Sequence, residues 1–522
     1  MKRSIFFINE KYTLISLSLI IFSAGVSLYL FQFIYDGHHH GLMFSNAVDL
    51  LNSKKPYAEI FIQYGFLTTF IHSISLLFLG YKIFSLHFVT IIFYSFSIFF
   101  IFLITKKLVN EKIALISVLV LLLNHPIPWM PWSNYIAYFF IVLSIYFLIK
   151  KLKYNYLLTG FCLGLCVLSR QDYFLPIIVT FFLFNLIYLL TDFSYNKLLD
   201  IGKILIGFVS PISIFFLYLY FNNLIFIWTK YLILPSLYLE LNDVSIFSYV
   251  INFIKFFFTD ALLNFINKPQ YLLIFAILLI NSIFLIKFCI TKKYDLIFIS
   301  LLCLTLSSIG ISLELFRLYT SVSLGVVVLI QVISNIKSDD LRKFSFFFLL
   351  STSIFSITFY PWGNNEFFKK INISKHYETP ESSLFVYNKW VPQKVRVLNK
   401  ILDLKKNILS NCNIQYGENL TFDNYFSNIL NLNRVRLAPH VKSDHKNHKI
   451  DTFFNINFIS RINELIIKKN IIILITENNH SYNAGSIILN NSYSYELIKL
   501  NSINEKPRFL KFYYPSKCYV KS

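Results

Sequence analysis

Charge is scarce in this chain. Asp, Glu, Lys and Arg make up 14% of its 522 residues, against about 25% in soluble globular proteins. Acidic residues are the scarcer kind, 27 against 48 Lys and Arg, for a formal net charge of +21. Apolar residues fill the remainder: 56% are hydrophobic, 58 Phe and 34 Tyr among the chain's residues, with mean hydropathy +0.59. So much apolar and aromatic surface with so little charge excludes a soluble enzyme, a disordered chain and a fibrous protein. It requires lipid.

Other absences narrow the class. Six cysteines supply no metal framework. Cys162, Cys166, Cys289 and Cys303 lie in apolar runs and read as small buried hydrophobes. Cys412 and Cys518 stand alone in a polar C-terminal region, where they can pair as a disulfide if that region lies outside the cytoplasm. The chain has no Walker-type phosphate loop, no GxGxxG and no GxSxG, which leaves ATP-driven transport and serine hydrolysis unsupported. No internal repeat is visible, which weighs against transporters built from repeated halves. The basic excess does not point to nucleic acid, because it sits in short loops between apolar runs and in the last third of the chain.

Apolar runs at about 12–34, 86–104, 113–124, 134–149, 156–169, 173–191, 203–221, 271–290, 295–313, 319–335 and 344–360 predict about eleven transmembrane helices. Every second connection is basic: Lys2, Arg3 and Lys11; Lys106, Lys107 and Lys112; Lys150, Lys151 and Lys153; Lys197 and Lys203; Lys287, Lys292 and Lys293; Lys337, Arg342 and Lys343. That parity places the N-terminus in the cytoplasm and the C-terminus outside. The first run is too long for a cleaved signal and reads as an anchor helix. The stretch Phe66 to Leu79 is too short to span and predicts a re-entrant or interfacial segment.

The expected fold class is therefore an α-helical polytopic membrane protein with a C-terminal mixed α/β extracytoplasmic domain. Residues 1–360 form the membrane part, with outer loops at 35–85 and 222–270. Residues 361–522, richer in charge and Asn, form the periplasmic domain, with an amphipathic helix at Val395 to Ile408 and a strand at Ile471 to Thr476. The expected location is a bacterial inner membrane.

Asp36 follows the first span by one or two residues, at the outer lipid–water boundary. Partial desolvation there raises the basicity of a carboxylate, as a general base needs; the plainer reading is a capping loop Asp. Arg170 in LSRQDYF and Arg317 in ELFRLYTS fall at the outer ends of spans. Each can meet a lipid phosphate bidentately, or snorkel to headgroups. Asp172 and Glu314 read as ion-pair partners rather than second bases. His38, His39 and His40 invite a metal reading, but consecutive side chains diverge. No resident metal is expected; a divalent ion held by one of them with Asp36 or Glu59 stands as the lesser reading beside hydrogen bonding to acceptor or phosphate. Tyr57, Gln63 and Tyr64 can contact sugar or phosphate, or anchor the loop at the interface. The GFCLG run, Gly160 to Gly164, permits close helix packing.

The first outer loop as a whole adds a resemblance. Asp36 ending the first helix, an A-x-x-L-L-like helix, the K-P-Y-x-E run Lys55 to Glu59, the F-x-Q-Y-G run Phe61 to Gly65 and an apolar stretch ending in Leu79–Gly80 resemble the corresponding loop of GT-C glycosyltransferases. That superfamily includes the protein O-mannosyltransferases, the lipid A aminoarabinose transferase and the RgtA/B/C/D-like group. The resemblance covers about residues 12–175, with a looser match in helix arrangement through 360. Where the family often has Pro after the QYG-like turn, this chain has Phe66. The resemblance implies a GT-C-like fold and transfer of a sugar from an undecaprenyl-phosphate donor to a lipid, polysaccharide or protein acceptor. It implies Asp36 as the base, a cation in the position of Arg170, and an acidic residue in the position of Glu59. Two other functions compete: an O-antigen polymerase or ligase, which usually concentrates function in a large mid-chain outer loop, and a lipid-linked-glycan flippase, which should carry more charge inside its spans.

Overall fold

The computed structural model describes residues 11–30, 39–62, 64–124, 130–150, 153–191, 194–231, 269–307 and 315–357, helical fragments at 400, 403–404 and 406–407, and strands between 416 and 516. Asp36, His38, Gln63, Cys412, Cys518, most of the second outer loop and most of the helix expected at 395–408 lie outside the described residues, as does the side chain of Arg317.

Thirteen named helices are described: α1 (Lys11–Leu30), α2 (His39–Leu51), α3 (Phe66–Leu79), α4 (Ile83–Leu108), α5 (Glu111–Asn124), α6 (Ser133–Lys150), α7 (Asn155–Ser169), α8 (Phe174–Thr191), α9 (Tyr195–Phe221), α10 (Pro269–Ile290), α11 (Tyr294–Ser307), α12 (Leu315–Ser334) and α13 (Asp339–Ile357). Each of the eleven runs read as a span coincides with one of them; α2 and α3 are the two helices of the first outer loop. Six helices are long and apolar enough to cross a bilayer, and α3, α7, α11 and residues 322–334 of α12 are shorter apolar helices.

α3 has its polarity inside out. It buries Thr68, Thr69, His72, Ser73 and Ser75, and exposes Phe70, Ile74, Leu77 and Phe78. A helix with water on its outer side would do the reverse. This one suits lipid outside and polar protein within, the half-buried segment that its fourteen residues predict.

Many polar groups along the bundle find partners inside it. Hydroxyls of Thr90, Ser97 and Thr105 donate to the carbonyls four residues earlier at 2.7, 2.8 and 2.8 Å. Pro211 inside α9 has no N–H for the carbonyl of Gly207, and the Ser210 hydroxyl donates to that carbonyl at 2.9 Å instead. At the N-terminal end of α1, Glu111 accepts from the Thr13 N–H at 2.6 Å and the Thr13 hydroxyl at 2.7 Å, supplying an anion to a helix N-terminus. Lys197, read as a loop cation, is instead buried at the α8–α9 corner. Its ammonium donates to the Tyr188 carbonyl and the Tyr294 hydroxyl, each at 3.0 Å.

α7 and α9 cross at backbone contact. A Cβ on Gly160 would stand 1.9 Å from the Ile204 carbonyl oxygen, one on Gly164 2.4 Å from that of Phe208, and one on Gly207 2.1 Å from that of Leu157. The GFCLG run packs as its small residues predict, with Gly207 as the third small residue, on the facing helix.

In the C-terminal part, β1 (Tyr416–Asn419), β2 (Asn433–Arg434), β3 (Ile471–Thr476), β4 (Tyr493–Leu500) and β5 (Arg508–Pro515) form a sheet in the order β2-β1-β3-β5-β4. β1 pairs in parallel with β2 and β3, while β5 is antiparallel to β3 and β4. The strand expected at Ile471–Thr476 is the central one.

Gly207→Ala places a methyl group against the Leu157 backbone, which has no side chain to swing aside. It should lower the stability of the detergent-solubilised protein by on the order of 2–3 kcal/mol, measured as a fall in melting temperature, whereas Gly202→Ala, with open space at its Cβ, should not.

Candidate active site at the outer corner of α7 and α8

The chain turns sharply after α7. Arg170 is extended, with φ −149° and ψ 102°; Gln171–Tyr173 form one 3-10 turn, and α8 follows. The first outer loop docks onto this corner. Gly65 lies so close that a Cβ would come within 2.5 Å of the Leu168 carbonyl oxygen and the Ser169 backbone. Its own backbone is extended at φ −173°, so close approach rather than an unusual dihedral requires glycine here. The Thr68 hydroxyl donates to the Ser169 carbonyl at 2.9 Å, and the Gln171 N–H donates to the Tyr64 carbonyl at 2.9 Å. The first of these contacts satisfies a carbonyl that the end of α7 would otherwise leave open.

Arg170 is 5% exposed. Its Nε and Nη2 donate to the two carboxylate oxygens of Asp172 at 2.7 and 2.6 Å. The guanidinium carbon lies 5.5 Å from the centroid of the Tyr64 ring and 5.2 Å from that of Tyr173. Burial opposes the charge, but the Asp172 carboxylate and the two phenols outweigh it and hold the guanidinium above its ordinary pKa. Asp172 is thus the ion-pair partner, as expected. The contacts to Asp172 are made by the Nε and Nη2 edge.

The Tyr173 hydroxyl meets Thr320 of α12. Arg317 lies three residues earlier on the same helix, about 4.5 Å nearer its outer end. The two arginine-bearing segments are therefore neighbours. Beneath the corner, Leu163 of α7, Ile177, Ile178 and Phe181 of α8, and Ile204 and Phe208 of α9 line an apolar groove. Leu163 stands seven residues before Arg170, about 10 Å down the helix axis.

The remaining loop candidates separate. Tyr57, at φ 62°, is 1% exposed and packs with Phe61, Phe215, Leu219, Leu224 and Tyr231. Burial pushes its phenol above the ordinary value. The substrate contact expected of Tyr57 meets a different placement here, because packing against α9 and residues 224–231 takes up its ring. Glu59 is exposed, and its carboxylate accepts from the Lys55 N–H at 2.7 Å, closing the K-P-Y-x-E turn. Among the described residues of this set, Tyr64 stands at the Arg170 corner. Of the histidine run, His40 is wholly buried, with its Nε2 2.8 Å from Nε2 of His87 in α4. Among the described residues, no three His, Cys, Asp or Glu side chains sit together as a metal site.

Sequence reading passed over Gln171 and Thr320. Gln171 ties three segments together: its N–H holds Tyr64, its side-chain amide donates to the Tyr231 carbonyl at 3.2 Å, and it follows Arg170 directly. The one local signal was the polar QD pair interrupting two apolar runs. Thr320 carried none.

Gly65→Ala should lift the Tyr64 turn from the end of α7. A loss of about 1–3 kcal/mol is expected, together with faster proteolysis within residues 55–70 than in the unsubstituted protein.

No family profile matches the sequence, and neither does any curated protein. Among solved structures, ArnT from Cupriavidus metallidurans in the apo state matches with TM-score 0.56 and 8% identity, over 98% of this chain and 99% of that one. The same protein bound to undecaprenyl phosphate matches with TM-score 0.50 and 10% identity, over 96% and 98%. Identity this low speaks to fold, and the match runs the length of both chains. This chain is a multi-pass α-helical membrane protein with the GT-C-like fold of ArnT.

Proposed function

We propose that the protein is a membrane glycosyltransferase that moves a sugar from a polyprenyl-phosphate donor to a cell-envelope acceptor at the outer membrane–water boundary. The observation that carries this reading is the Arg170 corner. A buried guanidinium at the outer end of a span is covered by the first outer loop, adjoins the helix that bears Arg317, and stands above an apolar groove. A polyprenyl phosphate is a charged head on a long apolar chain, and this arrangement suits both parts. The neighbour that was solved with undecaprenyl phosphate has the same fold.

The chemistry follows from the donor. Phosphate is already a good leaving group, so the protein must supply a base for the acceptor hydroxyl and cations for the departing phosphate. Asp36 takes the acceptor proton as the acceptor oxygen attacks the anomeric carbon. The bond from that carbon to the phosphate oxygen breaks, and its electron pair leaves with the phosphate. Direct displacement inverts the anomeric centre. Arg170 offers Nη1 to the phosphate while Asp172 holds its Nε and Nη2 edge, and Arg317 supplies the second cation. Tyr64 fixes the guanidinium plane. The groove along α7, α8 and α9 takes the first part of the prenyl chain.

Asp36→Asn keeps the side chain's shape and removes its basicity. With a polyprenyl-phosphate sugar as donor, transfer by the purified protein should fall at least about 10²-fold; undiminished transfer would exclude Asp36 as the base. Arg170→Lys loses both the fork to Asp172 and the planar edge offered to phosphate. The donor KM should rise on the order of tenfold, and an unchanged donor KM would remove Arg170 from the donor site.

A further inference from the structure

A small cleft adjoins the Arg170 corner, between α2, α3 and the segment that joins them. Leu42, Met43 and Asn46 of α2, Tyr64 of the joining segment, and Thr68 and Thr69 of α3 line it. Its free space is about 210 Å³, open mouth included, short of the roughly 300 Å³ at which pockets begin to enclose whole ligands. It suits one substituent of a larger molecule. Two contacts fix its place. The ring centroid of Tyr64 is 5.5 Å from the guanidinium carbon of Arg170, and the Thr68 hydroxyl donates to the Ser169 carbonyl at 2.9 Å.

The polar side chains of the cleft are not equally engaged. Thr68 is held by Ser169, and the Asn46 amide donates to the Phe61 carbonyl at 2.9 Å. Thr69 differs. It is 3% exposed, and among the described residues its hydroxyl makes no hydrogen bond. Hydroxyls in apolar helices ordinarily turn back onto the preceding turn, as those of Ser73 and Ser75 do in the same helix, at 2.7 Å each. The Thr69 oxygen is not sealed off either, since it keeps accessible surface that the cleft supplies. A buried hydroxyl that bonds neither its own helix nor a neighbour is costly to keep, and a ligand that bonds it removes the cost.

We propose that this cleft receives one hydroxyl of the donor sugar, and that Thr69 is the residue that selects for it. The inference rests on the reading of Arg170 as a ligand of the donor phosphate. In a glycosyl phosphate one bridging oxygen separates phosphorus from the anomeric carbon, so a phosphate at Arg170 leaves its sugar beside Tyr64 and the cleft. A threonine hydroxyl both donates and accepts, and can meet a sugar hydroxyl in either sense. Leu42 and Met43 offer little competition for that bond. A donor lacking the hydroxyl leaves Thr69 buried without a partner, the circumstance in which a site discriminates most strongly between substrates.

Binding and turnover test this together. The probes are undecaprenyl phosphate and the undecaprenyl phosphates of glucose, galactose, mannose and arabinose. The tightest-bound sugar of that panel should bind the unsubstituted protein better than undecaprenyl phosphate does. Thr69→Val keeps the side chain's shape and removes its hydroxyl. It should weaken binding of that sugar donor about tenfold and leave the affinity for undecaprenyl phosphate within about twofold. Thr69→Ser, which restores the hydroxyl, should recover most of the loss. Among monodeoxy forms of the same donor, one should bind the unsubstituted protein about as weakly as Thr69→Val binds the parent sugar, and lose nothing further in Thr69→Val. Four results overturn the proposal: no sugar of the panel binding better than undecaprenyl phosphate, an equal loss for donor and undecaprenyl phosphate in Thr69→Val, no loss for either (a cleft that holds water only), or an equal further loss for every monodeoxy form. Binding needs no turnover. A Thr69-dependent preference for the sugar donor without transfer therefore counts against the enzymatic reading, while transfer that is indifferent to Thr69→Val counts against the cleft.

Discussion

Hydrocarbon offers a polar group nothing to bond with, and several parts of this bundle answer that constraint within the protein. The hydroxyls of Thr90 and Thr105 turn back onto their own helix. Ser210 takes the carbonyl that Pro211 leaves open. α3 turns its serines, threonines and His72 inward and exposes Phe70 and Phe78. The glycines of α7 and α9 serve the same end by another route. Two apolar helices in lipid gain little by hiding apolar surface from each other, so close backbone approach must supply their adhesion through dispersion. Gly160, Gly164 and Gly207 allow that approach, and the α7 they fix carries Arg170 at its outer end.

At that end the constraint becomes functional. A buried guanidinium without an anion is costly, and Asp172 two residues away supplies a bidentate partner. Tyr64 and Tyr173 cover the faces that the carboxylate leaves. Tyr64 belongs to the first outer loop and Tyr173 touches α12 through Thr320. The same contacts that make the ion pair tolerable thus draw three distant parts of the chain to one corner. Gly65 is the contact on which this depends, because a side chain at that point would hold the loop away from α7.

Much of this was legible in local pattern. Lys and Arg recurring in every second connection, with apolar runs between them, marked where the helices lie. The fourteen residues of Phe66–Leu79 were too few for a span and packed as something else. Ile471–Thr476 was readable as a strand because five consecutive isoleucines and leucines stand in a polar neighbourhood. The site was legible only in part. Arg170 and Asp172 are two residues apart, and their pairing could be expected. Thr320 meets Tyr173, and His87 meets His40, across long stretches of sequence; such contacts leave no periodicity to read. Tyr57 stayed open in the sequence between substrate contact and loop anchor for a related reason. An aromatic residue after Pro in an interfacial loop has the composition of a substrate contact, and only its partners on α9 and residues 224–231 determine that it is packed away.

The pairing of Arg170 has a consequence for how a donor would be held. Together, Arg170 and Asp172 carry no net charge, so what the corner offers a phosphate is a directed N–H edge rather than a cation's field. A unit charge about 4 Å away is worth about 4 kcal/mol at an effective dielectric of 20, and a neutral pair forfeits most of that. On the proposed reading the two arginines therefore divide the work. Arg170, immobilised between a carboxylate and two rings, sets the orientation of the phosphate, and the further positive charge that a departing phosphate needs falls to the second proposed cation, Arg317. A departing phosphate gains charge as its bond to the sugar breaks. A cation whose field is not already neutralised is the one whose interaction strengthens in the transition state, so the proposed reading requires Arg317 to keep its charge uncancelled and to act on the rate rather than the affinity.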